Sequence, residues 1–130
     1  KLNYLDTFNN KRANIAKFYE NELGTCSSVI TPKIREGVIP VWHQYAFRCS
    51  EKDEIGNYLA SKGIESAAFY PIPLHLQKAF HNLGYKEGEL PIAEKITRQT
   101  VCLPIYPELR KEELNYIVSN IKAFYNSKGE

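Results

Sequence analysis

Ile64-Glu65-Ser66-Ala67-Ala68-Phe69-Tyr70-Pro71-Ile72-Pro73-Leu74-His75 is the segment on which the architecture turns. Ile64 to Tyr70 reads as a strand, and Pro71 and Pro73 stop it because neither can donate to a sheet ladder. The chain must therefore leave the sheet in a stiff turn that carries His75. Two further segments read as strands. Val41 to Arg48 alternates, with Val41, His43, Tyr45 and Phe47 on one face and Trp42, Gln44, Ala46 and Arg48 on the other. Thr100 to Leu103 is a short apolar run closed by Pro104 and Pro107.

Helices separate and flank these strands. Leu5, Phe8, Ile15, Phe18, Tyr19 and Leu23 recur mostly at three- and four-residue steps, which predicts an amphipathic helix over residues 2–23, ended by Gly24. From Thr25 to Pro40 no period is sustained, and an ordered surface loop with at most one short edge strand is expected. Ser50 stands three residues before Asp53, the spacing of an N-terminal cap, and Ile55, Tyr58 and Leu59 supply the stripe of a short helix ending at Lys62-Gly63. A helical turn near Gln77 to Phe80 and a helix from about Pro91 to Gln99 follow, the proline sitting where a first helical turn tolerates it. The plainest pattern is the last: Leu114, Ile117, Val118, Ile121, Phe124 and Tyr125 form one continuous apolar stripe. Strands separated by helices, with a helix at each end, imply an α+β or α/β sandwich, α+β being the reading adopted, with a small sheet of three to four strands covered by helices mainly on one face.

The composition fits one such domain. The chain has 130 residues, 43% hydrophobic and 25% charged, enough for a core without disulfides or metal. Its 17 basic and 15 acidic residues are scattered, giving a net charge of +2 and a solvated surface without the clustered basic face that nucleic acid requires. The final helix mixes Glu112, Glu113, Asn115 and Lys122 and does not read as a DNA-recognition helix. No stretch approaches the roughly 18 to 20 apolar residues of a membrane helix, and no signal segment opens the chain. Cys26, Cys49 and Cys102 are odd in number and widely spaced, which favours buried free thiols and a cytoplasmic setting. From the absence of methionine and a start at Lys1, inside a helical pattern, the sequence is expected to be a piece of a longer chain.

Three kinds of catalytic site find no support. His43, His75, His81 and the cysteines show no metal-ligand spacing. Cys102 lies between Val101 and Leu103, a packing position and not that of a nucleophile. Neither glycine-rich phosphate loop occurs. Two strand ends stand out instead, Trp42-His43-Gln44-Tyr45 and Tyr70 to His75, where imidazole, phenol and amide groups sit beside proline-stiffened turns of a kind suited to a sugar or nucleotide. An alternative places His43 and Tyr45 inward beside Val41 and Phe47 as satisfied core residues. His75, between prolines and a turn, is less readily assigned to a core.

Several ordered motifs resemble one family. They are Gly63-Ile64, Tyr70-Pro71-Ile72-Pro73-Leu74-His75-Leu76-Gln77, Leu83-Gly84-Tyr85, Leu90-Pro91-Ile92-Ala93-Glu94 and Cys102-Leu103-Pro104-Ile105-Tyr106-Pro107-Glu108-Leu109. Leu5-Asp6, Lys11-Arg12, Ile15 to Tyr19 and Trp42 to Arg48 agree more weakly. Together they are similar to the C-terminal part of the DegT/DnrJ/StrS aminotransferases, also called pleiotropic regulatory proteins, over essentially the whole chain. Cys102 stands where the family often has serine. Arg110 stands where a Thr or Ser cap is usual, a change of about 1 kcal/mol in local capping.

The resemblance implies a fold type I enzyme in which a larger N-terminal domain binds pyridoxal phosphate and this smaller domain closes one side of the active site. On that division, residues 1–23 are a linking helix and 24–130 the small domain. The implied enzyme is a homodimer moving an amino group, usually from glutamate, to a keto group on a nucleotide-linked sugar. None of the lysines here lies in the family's Schiff-base motif, so no catalytic residue is assigned and the domain alone is expected to be inactive. By position, Tyr70 and His75 are expected to face the substrate pocket, with His43 and Tyr45 behind them, in orienting roles. A sugar dehydratase of the same family using pyridoxal or pyridoxamine phosphate, and a non-catalytic binding or regulatory module, are the alternatives.

Overall fold

The structure is a computed structural model that describes residues 2–129. After a 3-10 turn at Leu2–Tyr4 the elements are α1 (Leu5–Leu23), β1 (Tyr45–Arg48), α2 (Lys52–Ser61), α3 (Pro91–Gln99), β2 (Thr100–Leu103) and α4 (Lys111–Asn126). Two further 3-10 turns, Leu74–Leu76 and Lys78–Leu83, lie between α2 and α3. Helices and a small sheet share one core, as the α+β reading requires.

The sheet is narrower than three to four strands. β1 and β2 pair antiparallel, with Tyr45 opposite Leu103 and Phe47 opposite Val101. Outside them the expected extra lanes shrink to single bridges, Ile30 with Arg48 and Ala67 with Cys102. Two local causes account for this. Trp42 adopts a left-handed backbone, φ 49°, which an extended run cannot absorb, so the strand starts at Tyr45 instead of Val41. At the other segment, the Ile64 N–H bonds to the Leu59 carbonyl and the Gly63 N–H to that of Ala60, closing the end of α2. Gly63 has φ 70°, as this helix-ending motif demands. Ile64 is thus committed to the helix end, and only Ala67 reaches the sheet.

Because facing residues of an antiparallel pair share a side, Tyr45, Phe47, Val101 and Leu103 point into one core. They meet Tyr19 and Leu23 of α1, Ile55 and Leu59 of α2, and Ile117 and Ile121 of α4. Tyr19 Oη donates to the Pro104 carbonyl at 2.8 Å, fastening α1 to the end of β2, and Lys122 bridges to Glu22 at 2.7 Å across α4 and α1.

Two capping expectations changed. Ser50 does not cap α2: Glu51 occupies the cap position without a side-chain bond, and Asp53 and Glu54 in the first turn complement the helix dipole instead. Arg110, lacking the acceptor of Ser or Thr, is served by Glu113, whose carboxylate accepts the Arg110 N–H at 2.8 Å and its guanidinium at 3.0 Å. Cys49 and Cys102 are buried free thiols whose pKa burial raises, in keeping with packing roles, and Cys26 is half-buried and free.

Candidate functional site

Residues 69–90 form an arm that belongs to neither helix layer nor sheet. Pro71 and Pro73 hold its first part extended, two 3-10 turns fold it back, and Gly84, at φ 77°, turns it toward α3. Against α3 the arm borders an open cavity of about 610 Å³ lined by residues that include Tyr70, Ile72, His75, Phe80, Leu90 and Ile96. Its walls are largely hydrocarbon with few polar groups, the usual make-up of a small-molecule site. A neighbouring cleft of about 330 Å³ is lined by residues that include His43, Gln44, Ser66, Phe69, Cys102 and Tyr106. Phe69 borders both cavities, so the two strand ends singled out in the sequence meet at its ring.

The four candidate residues separate clearly. Tyr70 is 61% exposed, at the mouth of the larger cavity. His75 borders the same cavity but is 8% exposed, so it belongs to a buried cluster after all. His43 is exposed and lies in the smaller cleft. Tyr45 lines neither cavity: it is fully buried, its ring packed at a tilt against Tyr19 at 4.9 Å and Trp42 at 5.7 Å between ring centres. Its hydroxyl has no hydrogen-bond partner, and burial first, with Glu20 nearby, raises its pKa. Tyr45 is thus a core residue, as the alternative for this strand has it, but with an unsatisfied hydroxyl, and His43 is not in the core.

What orders the arm is a residue the sequence marked only as part of a motif. Glu94, 3% exposed on α3, receives His75 Nε2 on its Oε1 at 3.2 Å. The same oxygen accepts the backbone N–H of Gly88 at 2.8 Å and of Leu90 at 3.3 Å. Its Oε2 lies 3.6 Å from Arg98, which also pairs with Glu87. Burial pushes the Glu94 carboxyl up, but the Gly88 N–H, the His75 ring and the Leu90 N–H together outweigh it and hold the group below its usual value. The Tyr85 ring meets the His75 ring edge-on at 6.0 Å. Pro91 at the start of α3 with a carboxylate one turn on was the available signal for this role.

The profile of the DegT/DnrJ/EryC1/StrS aminotransferase family matches residues 1–122. The chain belongs to that family. It is 41% identical over 127 residues to the pleiotropic regulatory protein of Geobacillus stearothermophilus, covering 96% of this chain and 34% of that protein. It is 31% identical over 124 residues to the dTDP-3-amino-3,4,6-trideoxy-alpha-D-glucose transaminase of Streptomyces venezuelae, covering 95% and 33%. The S. venezuelae DesV crystal structure, a complex with a ketimine intermediate, superposes with a TM-score of 0.91 at 31% identity over 95% of this chain and 33% of that one. The chain thus spans about a third of the length of the curated relatives it matches.

Aminotransferases of this family depend on pyridoxal phosphate. That cofactor needs a lysine amine for its Schiff base and donors for its phosphate, and the cavities described here do not fit it. No lysine lines either cavity beside Phe69. Lys52, which borders a third cleft along α2, spends its ammonium on the Thr97 carbonyl at 2.8 Å. Among the described residues there is also no cluster of side chains able to hold a metal ion, and no helix is long and apolar enough to cross a membrane.

Proposed function

We propose that this chain supplies the substrate-facing wall of a pyridoxal-phosphate-dependent aminotransferase that delivers an amino group, with glutamate as donor, to a keto-sugar carried on a nucleotide. Within the whole enzyme the cofactor acts as the electron sink and is held mainly by the part of the protein that carries the Schiff-base lysine. No step of the amine transfer falls to this chain, and alone it is inactive. The functional unit on this reading is a cytoplasmic homodimer.

One observation carries the proposal: Tyr70 and His75, either side of a proline-stiffened turn, open on the same apolar cavity in a chain whose family match runs over residues 1–122. Such a wall binds and orients. The Tyr70 hydroxyl, exposed at the mouth, can bond to ligand oxygens, Ile72, Phe80 and Ile96 exclude water from an apolar sugar face, and His75 supplies a polar group deeper in. His43 approaches the same ligand from the adjoining cleft across Phe69. Tyr45 contributes by supporting Trp42, not by contact.

The test is Tyr70→Phe and His75→Ala in the full-length enzyme. Losing one orienting hydrogen bond raises KM for the keto-sugar nucleotide by about tenfold, while the cofactor's visible band still responds to glutamate. Unchanged KM and kcat for the sugar in both variants would remove these residues from the site. A second reading, a non-catalytic regulatory module, draws on the name of the 41% identical relative. A full-length product that never develops a visible band with pyridoxal phosphate favours that module or a lysine-less dehydratase.

A further inference from the structure

The first limb of the arm, residues 70–83, has few polar ties to hold it in place. Its backbone hydrogen bonds reach only to the next turn, as from the Leu76 N–H to the Pro73 carbonyl, and the Gln77 side chain bonds back to the Ile72 carbonyl at 3.2 Å. Among the described residues one hydrogen bond runs from this limb to the rest of the molecule, between His75 Nε2 and Glu94 Oε1 at 3.2 Å. The second limb ends on the same atom: the Gly88 and Leu90 N–H groups donate to Glu94 Oε1 at 2.8 and 3.3 Å. His75 and Leu90 both border the 610 Å³ cavity, as do Ala93, Ile96 and Thr97 of α3. Glu94 does not. It is 3% exposed and lies outside the cavity's lining, where a single oxygen gathers both limbs against the helix.

We infer that Glu94 is a positioning residue for the ligand of this cavity: without touching the ligand, it sets how far the His75 limb and the Leu90 limb stand from each other and from α3. The ligand's place here rests on the reading of the cavity as a substrate wall; the latch rests on the hydrogen bonds alone. Two of the three donors are backbone N–H groups, which can only donate, so this point needs an acceptor oxygen whatever the form of the imidazole. Three donors converging on one buried oxygen suit a carboxylate, because hydrogen bonds to a charged acceptor are the stronger ones. The other polar link between arm and helix is the pair of Arg98 with Glu87, whose side chains are 62% and 71% exposed, and a solvated pair of that kind holds little. Glutamine at position 94 would keep an acceptor oxygen but turn its amide N–H groups toward Arg98, which lies 3.6 Å from Oε2. Alanine would leave all three donors without their acceptor.

The experiment compares Glu94→Ala, Glu94→Gln, His75→Ala and the double variant Glu94→Ala/His75→Ala in the full-length enzyme, with dTDP-glucose and UDP-glucose as probes. For whichever probe binds the unaltered protein, Glu94→Ala should raise Kd by about tenfold, with Glu94→Gln in between, while the cofactor's visible band still responds to glutamate. The Gly88 and Leu90 amides should exchange about tenfold faster or more in Glu94→Ala, with the amides of β1 and β2 still protected. Because Glu94 acts partly through His75, the double variant should lose less affinity than the two single losses combined. Exchange at Gly88 and Leu90 indifferent to Glu94→Ala overturns the latch. An unchanged Kd in Glu94→Ala, or fully independent losses in the double variant, overturns the positioning role. Should Glu94→Ala fail to fold, Glu94→Gln decides, and a Kd equal to that of the unaltered enzyme overturns the role. Weaker binding in His75→Ala with none in Glu94→Ala leaves the substrate wall standing without its positioning residue. Neither probe binding, or normal binding in both single variants, removes the substrate wall and the positioning role together, and exchange alone then judges the latch.

Discussion

The packed core and the arm at residues 69–90 are held by different physics. Tyr19, Tyr45, Phe47, Leu23, Ile55, Leu59 and Ile121 are fully buried and interlock across one strand and three helices. The arm buries little: Phe69, Tyr70, Ile72, Leu74, Phe80 and Leu83 are all at least 40% exposed, and its regular structure amounts to two 3-10 turns. Non-directional apolar burial fixes the first. One carboxylate with three donors fixes the second. Stability is thus concentrated in one region and ligand-facing chemistry in the other, and a change in either should leave the other's signature largely intact.

The largest break of that contrast is Phe47→Ala. Removing a fully buried ring opposite Val101 should cost about 3–5 kcal/mol, seen as a lowered denaturation midpoint in urea, with the whole chain unfolding. If the midpoint barely moved, the core would not be the seat of stability. Next comes acid. Glu94 has its folded pKa lowered, so its stabilising contacts are complete above the ordinary carboxylate value and fade as pH falls through the lowered one. Gly88 and Leu90 amides should therefore lose exchange protection in that acid window before the amides of β1 and β2 do. Simultaneous loss would make the arm part of the core's cooperative unit.

How much of this the sequence disclosed follows the same division. Stripes such as Leu114 to Tyr125 announce a helix because one face must be covered, and Pro91 announced α3. The sheet was overstated because alternation at Val41 to Arg48 carries no sign that Trp42 leaves the extended region, and Ile64 to Tyr70 none that Ile64 closes a helix end. Burial of His75 and its partner Glu94, 19 residues apart, has no periodic trace at all. Polar pairs across irregular chain are set by tertiary placement, and only the motifs around each residue hinted at them. That Tyr70 and His75 line one cavity, which shares Phe69 with the neighbouring cleft, follows from how the arm folds back on α3.

A smaller effect probes the hinge between the regions. Gly63 ends α2 at φ 70° with open space where a side chain would go, so Gly63→Ala meets no clash and costs only the left-handed backbone penalty, roughly 1–2 kcal/mol. A melting temperature equal to that of the unaltered protein would mean that the turn relaxes into another conformation and that Ile64 need not stay tied to Leu59.

The smallest expected change is the sharpest discriminator. Tyr45 lies wholly inside the core, yet its hydroxyl has no partner, so the ring serves packing while the oxygen bears a desolvation penalty. Tyr45→Phe removes only that oxygen. In this chain it should be neutral or slightly stabilising, within about 0.5 kcal/mol in urea denaturation, because no hydrogen bond is lost and the ring contacts with Tyr19 and Trp42 remain. A loss of more than about 1 kcal/mol, the usual worth of one buried hydrogen bond, would show that the oxygen is bonded after all. Neutral stability combined with weaker sugar binding in the full-length enzyme would instead move Tyr45 from the core's side of the comparison to the site's, acting through Trp42 and the adjoining His43.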